Sequence, residues 1–402
     1  MQDDRNQQQP DYPLAGVRVV DLSRALSGPF VGRILSDLGA DVVKVERPSS
    51  DITHAFGVSH YPHSGLYTQL NAGKRNLGVD LQSEQGRHLA HELARVSDVL
   101  IENFRPGTME RLGLGPSALL TVNPKLIVLS ISGFGQQGPE ANRRAYAPVI
   151  HAESGLLGRA VELDGGPASD IPLALADSTV ALHGAIAILA ALRHREATGH
   201  GQHIDVSMLD SMLATDDYIH YSLEDNFPFW PARGEIFHHP DGDVMVGADQ
   251  KKLWTSLSGY ANLPDAPPGV AREQKFAHRA AAVRDWALSF KDRDELLANL
   301  EAAGLAWANV RGPHNVLDSP TVTERGVSVE VDDRAGGTRP VVRMPYRYSA
   351  AACGPRRGPA FLGEHNQEIL AEWLGVEDEA VARLQSEGAL LADEPLVRES
   401  RR

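Results

Sequence analysis

The chain has 402 residues, 42% of them hydrophobic and 23% charged, an ordinary globular balance with length for two or three domains of ~150 residues. Lys and Arg total 39 against 53 Asp and Glu, and the net charge of −14 argues against nucleic-acid or anionic-membrane binding, leaving room only for a local basic pocket. The one cysteine, Cys353, excludes an internal disulfide, a cysteine-built zinc site and an iron–sulfur cluster, and fits a reducing, cytoplasmic compartment.

The segment Met1–Pro10 is rich in Gln and Asp, lacks the apolar core of a signal peptide and reads as a disordered tail. Val17–Leu22 has a buried-strand pattern. Ser27-Gly28-Pro29 then turns the chain, Phe30–Leu38 reads as a helix stopped by Gly39, and Asp41–Glu46 is a second strand. This βαβ unit predicts a parallel sheet with a right-handed crossover. The alternation continues with a helix over Ser83–Ser97, a strand over Asp98–Glu102, a helical stretch over Pro116–Leu120 and a strand over Lys125–Ser132. It marks an α/β fold. The clearest helix is Ser178–Glu196. Leu182, Ala185, Ile186, Leu189 and Leu192 line one face and Val180, Ala181 and Ile188 the other, which predicts burial on most sides. Its longest apolar run, Gly184–Leu192, falls short of the roughly 20 residues of a membrane span.

A strand over Gln202–Val206 and a helical stretch to about Asp217 follow. The texture then changes. Asp241-Gly242 between Phe237 and Val244–Val246 is a hairpin signal, Ala277–Ala303 is helical, Gly312-Pro313 and Asp333–Pro340 read as turns and linker, and Asn366–Leu374 is a last helix. The expected division is a tail at 1–12, a large domain at 13–221, a linker at 222–233, a small α+β domain at 234–330, a linker at 331–350, and a segment at 351–402 that returns to the large domain.

Among local motifs, Gly133–Gly138 matches the G-x-G-x-x-G dinucleotide fingerprint after a strand, but Pro139 and a polar run follow where the fingerprint needs an apolar helix. It reads as a glycine-rich loop. Asp177 stands directly before the apolar helix, where the helix dipole and free N–H groups favour a negative charge. On the residues alone it is an N-cap or a functional carboxylate. Holding an anion would fall to local cations: Arg47 at the end of the second strand, Lys74-Arg75, Arg105, Arg111 and Arg144.

Several long stretches occur in order: GVRVVDLSRALSGPFVGRILSDLGADVVKVERP, NAGKRNLGVDL, DVLIENFRPGTMERLGLG, ISGFGQQGP, the region around ALADSTVALHGAIAILAAL, and GPAFLGEHNQEIL. Together, over about residues 13–375, they resemble the class III CoA-transferase (CaiB/BaiF) family, which includes formyl-CoA and carnitine CoA-transferases and α-methylacyl-CoA racemases. The resemblance implies a Rossmann-like large domain, a smaller domain, and a homodimer whose chains interlock like rings. It implies a coenzyme A thioester as substrate, a carboxylic acid acceptor, no tightly bound cofactor and no metal. It places the nucleophilic carboxylate at Asp177, an oxyanion-stabilising loop at Gly135, Gln136 and Gly138, and CoA contacts at Arg47, Lys74, Asn103, Phe104, Arg111 and Arg144. Tyr146 stands where racemase relatives carry a His, and Gln250 where they carry a Glu. Neither supplies the second base that racemisation needs. Leu26 replaces a Gln of the formyl-CoA type, and the glycine run of that type is absent between 222 and 260. The reading is a CoA-transferase. An acyl-CoA racemase or epimerase is the alternative, and a non-catalytic CoA-binding protein is a third.

Overall fold

The computed structural model describes residues 11–48, 50–57, 61–224 and 234–393. Most of the tail and most of the 222–233 linker expected from the sequence therefore lie outside the described residues. Asp11 and Tyr12, assigned to the tail, belong to the fold: the Ala352 N–H donates to the Asp11 carbonyl at 2.8 Å, and the Ala15 N–H to the Tyr12 carbonyl at 3.1 Å.

The chain forms two compact units, one of residues 1–216 with 325–402 and one of residues 217–324. The larger unit begins with β1 (Arg18–Asp21), α1 (Ser27–Asp37) and β2 (Asp41–Glu46), followed by α2 (Gly65–Asn71), β3 (Arg75–Val79), α3 (Glu84–Val96) and β4 (Val99–Glu102). It continues with α4 (Thr108–Arg111), α5 (Pro116–Val122), β5 (Ile127–Ser132), α6 (Ala147–Glu153), α7 (Leu156–Asp164), α8 (Leu175–Thr198), β6 (Gln202–Ser207) and α9 (Met208–Thr215). The central strands are buried on both faces, which is why they read as near-continuous Val/Ile/Leu runs. Val19, Val99, Ile101, Ile127, Leu129 and Ile131 pack with α1 and α8 on one face. Val20, Val43, Leu77, Leu100 and Val128 pack with residues of α3 and α5 on the other.

Helix α8 starts earlier than the sequence suggests, at Leu175, and so takes in Asp177. By length and composition alone it would pass for a membrane span, yet half of its most apolar window is buried inside the fold. Burial on most sides is not what the structure shows. Val180, Ala181, Ala185, Ile188 and Leu192 cover the sheet, while Leu182, Ile186 and Leu189 are 46%, 63% and 38% exposed. A helix lying on one sheet face can bury only one stripe against it.

The smaller unit carries α10 (His220–Leu223), β7 (Glu235–Phe237), β8 (Val244–Val246), α11 (Gln250–Tyr260), α12 (Arg272–Ser289), α13 (Arg293–Ala302), β9 (Trp307–Asn309) and α14 (Pro320–Glu324). β7 and β8 form the expected hairpin, with Phe237 opposite Val244. The single helix expected over Ala277–Ala303 is two, because the Asp292 side chain caps a new start by accepting the Asp294 N–H at 2.8 Å.

The returning segment adds β10 (Ser328–Asp332), β11 (Thr338–Val342), α15 (Asn366–Leu374), α16 (Asp378–Ser386) and β12 (Leu390–Leu391). The linker expected at 331–350 is in part an antiparallel hairpin: Asp332 pairs with Thr338, and Pro340 stands opposite Glu330. A proline is tolerated there because a two-stranded ribbon is all edge. The main sheet has the order β12-β3-β2-β1-β4-β5-β6, parallel except for β12.

Candidate active site

The strand order reverses at β1, whose neighbours are β2 and β4. Open α/β sheets bind ligands in the crevice outside the strand carboxyl ends at such a switch point. Two segments leave the sheet there: residues 22–26, which lead from β1 into α1, and Asn103–Arg105 after β4. Helix α1 fits close against this region because two of its positions lack a Cβ. A Cβ at Gly28 would meet the Ser23 Cβ at 2.2 Å, and one at Gly32 would meet the Asp21 Oδ2 at 2.5 Å.

Asp177 lies in the first turn of α8 and is mostly withdrawn from solvent. It is therefore not the N-cap of its own helix; Ala174 is, with no side-chain capping bond. The backbone N–H groups of Ser27 and Ala147 face its carboxylate. Ser27 is the first residue of α1 and Ala147 the first of α6, and neither helix has a side-chain cap. Four other helices do carry a side-chain cap: Ser64, Ser83, Ser207 and Asp249 each accept a first-turn N–H, at the starts of α2, α3, α9 and α11. Two helix starts without a side-chain cap, those of α1 and α6, thus turn N–H groups toward one carboxylate.

Burial nevertheless dominates and pushes the Asp177 carboxyl up to about 6, against the opposing pull of the Ser27 and Ala147 N–H groups and of nearby His151. A value raised above the unfolded 3.8 means that ionisation opposes folding. That cost is absent below pH 3.8, grows as pH rises towards 6, and is complete above it. Asp177→Asn, which is never charged, is therefore expected to melt at a higher temperature than the wild type at pH 7.5. The gap should close towards pH 4. Thermal melts across that range check it, and equal melting curves at pH 7.5 would show that the carboxylate is not destabilised.

His151 on α6 holds the start of α8. Its Nε2 accepts the Ala176 N–H at 3.2 Å, and its Nδ1 lies 2.8 Å from Asp170 Oδ1. An Nε2 that accepts carries no proton, so the proton sits on Nδ1 and is donated to Asp170. Both ring nitrogens are engaged, and the ring is buried. The first-turn N–H of α8 is thus taken up from another helix, one residue before Asp177.

The other expected site residues divide. Lys74 is not a phosphate ligand in this structure. Its ammonium is fully buried and donates to Asp21 Oδ2 at 2.8 Å, to the Pro29 carbonyl at 2.8 Å and to Asn71 Oδ1 at 2.9 Å. Its neighbour Arg75 is tied to Asp41, Glu368 and Glu372. Asn103 is likewise occupied. Its Oδ1 accepts the Arg24 N–H at 2.9 Å, and its Nδ2 donates to the Arg24 carbonyl at 2.7 Å and to Ser27 Oγ at 3.1 Å. The Gln136 backbone N–H donates to Asp205 Oδ2 at 2.9 Å, whereas its side-chain Nε2 is buried without a hydrogen-bond partner among the described residues and stays available as a donor. Gly135 and Gly138, both at positive φ, shape that loop. Arg47, Arg111 and Arg144 are exposed, at the carboxyl end of β2, the end of α4 and just before α6. The Phe104 ring lies 5.9 Å beneath the Arg24 guanidinium, and Tyr146 is 66% exposed as the residue before Ala147.

A sheet of this order with desolvated carboxylates near its switch point, Asp177 raised to about 6 and Glu102 at the end of β4 raised by burial to about 7, fits an α/β enzyme built around carboxylate chemistry. A family model described as CoA-transferase family III matches residues 14–366, and the chain belongs to that family as an enzyme that transfers CoA, like its relatives of that name. It is 32% identical over 388 residues to the succinate–glutarate CoA-transferase of Agrobacterium fabrum, covering 91% of this chain and 96% of that protein. It is 33% identical over 400 residues to the beta subunit of the succinyl-CoA–L-malate CoA-transferase of Chloroflexus aurantiacus, covering 93% and 97%. The crystal structure of a CaiB/BaiF family protein from Brucella suis matches with a TM-score of 0.77 and 30% identity, over 90% of this chain and 100% of that one.

Proposed function

We propose that the protein moves CoA from an acyl-CoA thioester to a free carboxylic acid, with Asp177 as the covalent nucleophile. The observation that carries this reading is the placement of Asp177: poorly solvated, ionised at neutral pH, and faced by the N–H groups of two uncapped helices. Desolvation strips water from a carboxylate that in bulk would be too weak a nucleophile. The Ser27 and Ala147 N–H groups can also stabilise an oxyanion formed beside it.

In this reading an Asp177 oxygen attacks the thioester carbonyl, the C–S bond breaks, and CoA thiolate leaves a mixed anhydride. The thiolate then attacks the aspartyl carbonyl, releasing the donor acid and forming an aspartyl-CoA thioester. The acceptor carboxylate attacks that carbonyl and regenerates the thiolate, which takes the acceptor acyl group and frees Asp177. One thioester is exchanged for another, so neither ATP, a metal nor a tightly bound cofactor enters the balance. Arg47, Arg105, Arg111 and Arg144 are the exposed cations left to meet the CoA phosphates, and Phe104 and Tyr146 are candidate aromatic contacts. The names of the relatives favour a succinyl-type donor and a dicarboxylic acceptor.

Incubation with succinyl-CoA and a panel of dicarboxylic acids, with new acyl-CoA followed by mass, tests the reading. Transfer to at least one acid is expected, as is no α-deuterium uptake from D₂O in the absence of an acceptor. Rapid acceptor-free deuterium uptake, lost in Asp177→Ala, would replace the transferase by a racemase. We further place the protein in the cytoplasm as a homodimer of interlocked chains. The exposed Leu182, Ile186 and Leu189 stripe, which a second copy would cover, supports this, and sedimentation of the full chain tests it.

A further inference from the structure

We infer that Asn103 and Asp51 are positioning residues that hold the turn between β1 and α1 in a strained form, and so aim the Ser27 N–H at Asp177. The inference rests on the reading of Asp177 as the nucleophile.

The turn is held residue by residue. The Ser23 N–H donates to Asp21 Oδ1 at 3.0 Å, and its carbonyl accepts from Lys44 Nζ at 3.1 Å. Both backbone groups of Arg24 are taken by the Asn103 amide. The Ala25 N–H donates to Asp51 Oδ1 at 3.2 Å. Asp51 is itself buried and fixed, its Oδ2 3.0 Å from Lys44 Nζ and its Oδ1 accepting the Thr53 N–H at 2.9 Å. The side chains that grip these three residues come from β1, β2, the segment after β2 and the segment after β4.

At the centre of the grip, Ala25 has φ +64°, a left-handed conformation that an alanine does not hold by preference. Such a conformation persists only where the surroundings over-determine it, and the next two residues run into Ser27. Released, Ala25 would relax to negative φ, turn the following peptide and swing the start of α1 away from Asp177. Asn103 touches both ends of this path, since its Nδ2 also donates to Ser27 Oγ at 3.1 Å.

The test is the pH–rate profile of CoA transfer. In the wild type the acid limb is expected to follow ionisation of Asp177, whose carboxyl burial pushes up to about 6. His151 also lies near Asp177, with both of its ring nitrogens engaged by Ala176 and Asp170. Asn103→Ala is expected to move the limb to higher pH, because a donor that favours the carboxylate is lost. It should also lower kcat about tenfold or more, with a smaller change in donor KM. Asp51→Asn, which keeps an acceptor for the Ala25 N–H, should leave the limb in place, and Asp51→Ala should move it. Adding Ala25→Gly to Asn103→Ala should return the limb towards the wild-type position, because glycine adopts positive φ freely. A purely structural role would lower activity at every pH without moving the limb and without rescue by glycine. An unmoved limb in Asn103→Ala therefore overturns the inference, and Asn103→Ser reads the same limb if the alanine variant does not fold. If Asp177→Ala itself retains transfer, the reading of the nucleophile fails. If it is inactive and the limb stays fixed, only the positioning role fails.

Discussion

Asp177→Ala is expected to lower CoA transfer by at least about a thousandfold, on the scale seen when a covalent nucleophile is removed. The fold should survive. The side chain is not the N-cap of α8, the α8 start is held by His151, and loss of a poorly solvated charge offsets loss of the acceptor that the Ser27 and Ala147 N–H groups face. CoA binding should change little, since the exposed cations Arg47, Arg111 and Arg144 are untouched. Steady-state transfer, circular dichroism and direct CoA titration on the same preparation separate these effects. Transfer above a few per cent of the wild type would remove Asp177 from the mechanism.

The second large effect concerns stability. Lys74→Met leaves Asp21 buried and without its ammonium partner, and breaking one side of a buried ion pair costs about 3–5 kcal/mol. Burial already pulls the Lys74 ammonium down to about 8, with Asp21 opposing that fall, so the pair is held by its mutual contacts rather than by water. The denaturant midpoint of Lys74→Met should fall sharply. Replacing Asp21 as well, in Asp21→Asn with Lys74→Met, should recover part of the loss, because the uncompensated charge is then gone. Loss of CoA affinity in Lys74→Met with an unchanged midpoint would mean that Lys74 faces the ligand and not the core.

The contrast between these two residues shows what the sequence made legible. The β1–α1–β2 unit, the β7–β8 hairpin and α15 were readable because each is written in local terms: apolar runs, a glycine stop, an Asp-Gly turn, a 3.6-residue period. The family was readable too, and with it Asp177. What escaped is set by partners distant in sequence. Lys74 looks like any basic ligand until Asp21, 53 positions earlier, is seen beneath it. The start of α8 could not be read from Ala174–Asp177, since its capping acceptor is His151, 25 positions back. Asn103 resembles a ligand residue, yet its amide is spent on Arg24, 79 positions away. Residues 331–350 look like a linker because Gly336, Gly337 and Pro340 obscure a short alternating pattern, and only the pairing of Val331 with Arg339 makes it a hairpin. His151 sits in no local motif of the sequence. That it lies buried between Asp170 and α8 follows from the tertiary fold.

The central claim, that Asp177 becomes covalently modified during transfer, is open to one direct measurement. The enzyme is incubated with succinyl-CoA without acceptor, treated with hydroxylamine, digested and examined by mass spectrometry. The account predicts a hydroxamate on the peptide carrying Asp177, formed only when the thioester is present and absent from Asp177→Asn. A transfer-competent enzyme whose Asp177 peptide stays unmodified, or whose hydroxamate falls on another residue, would contradict it.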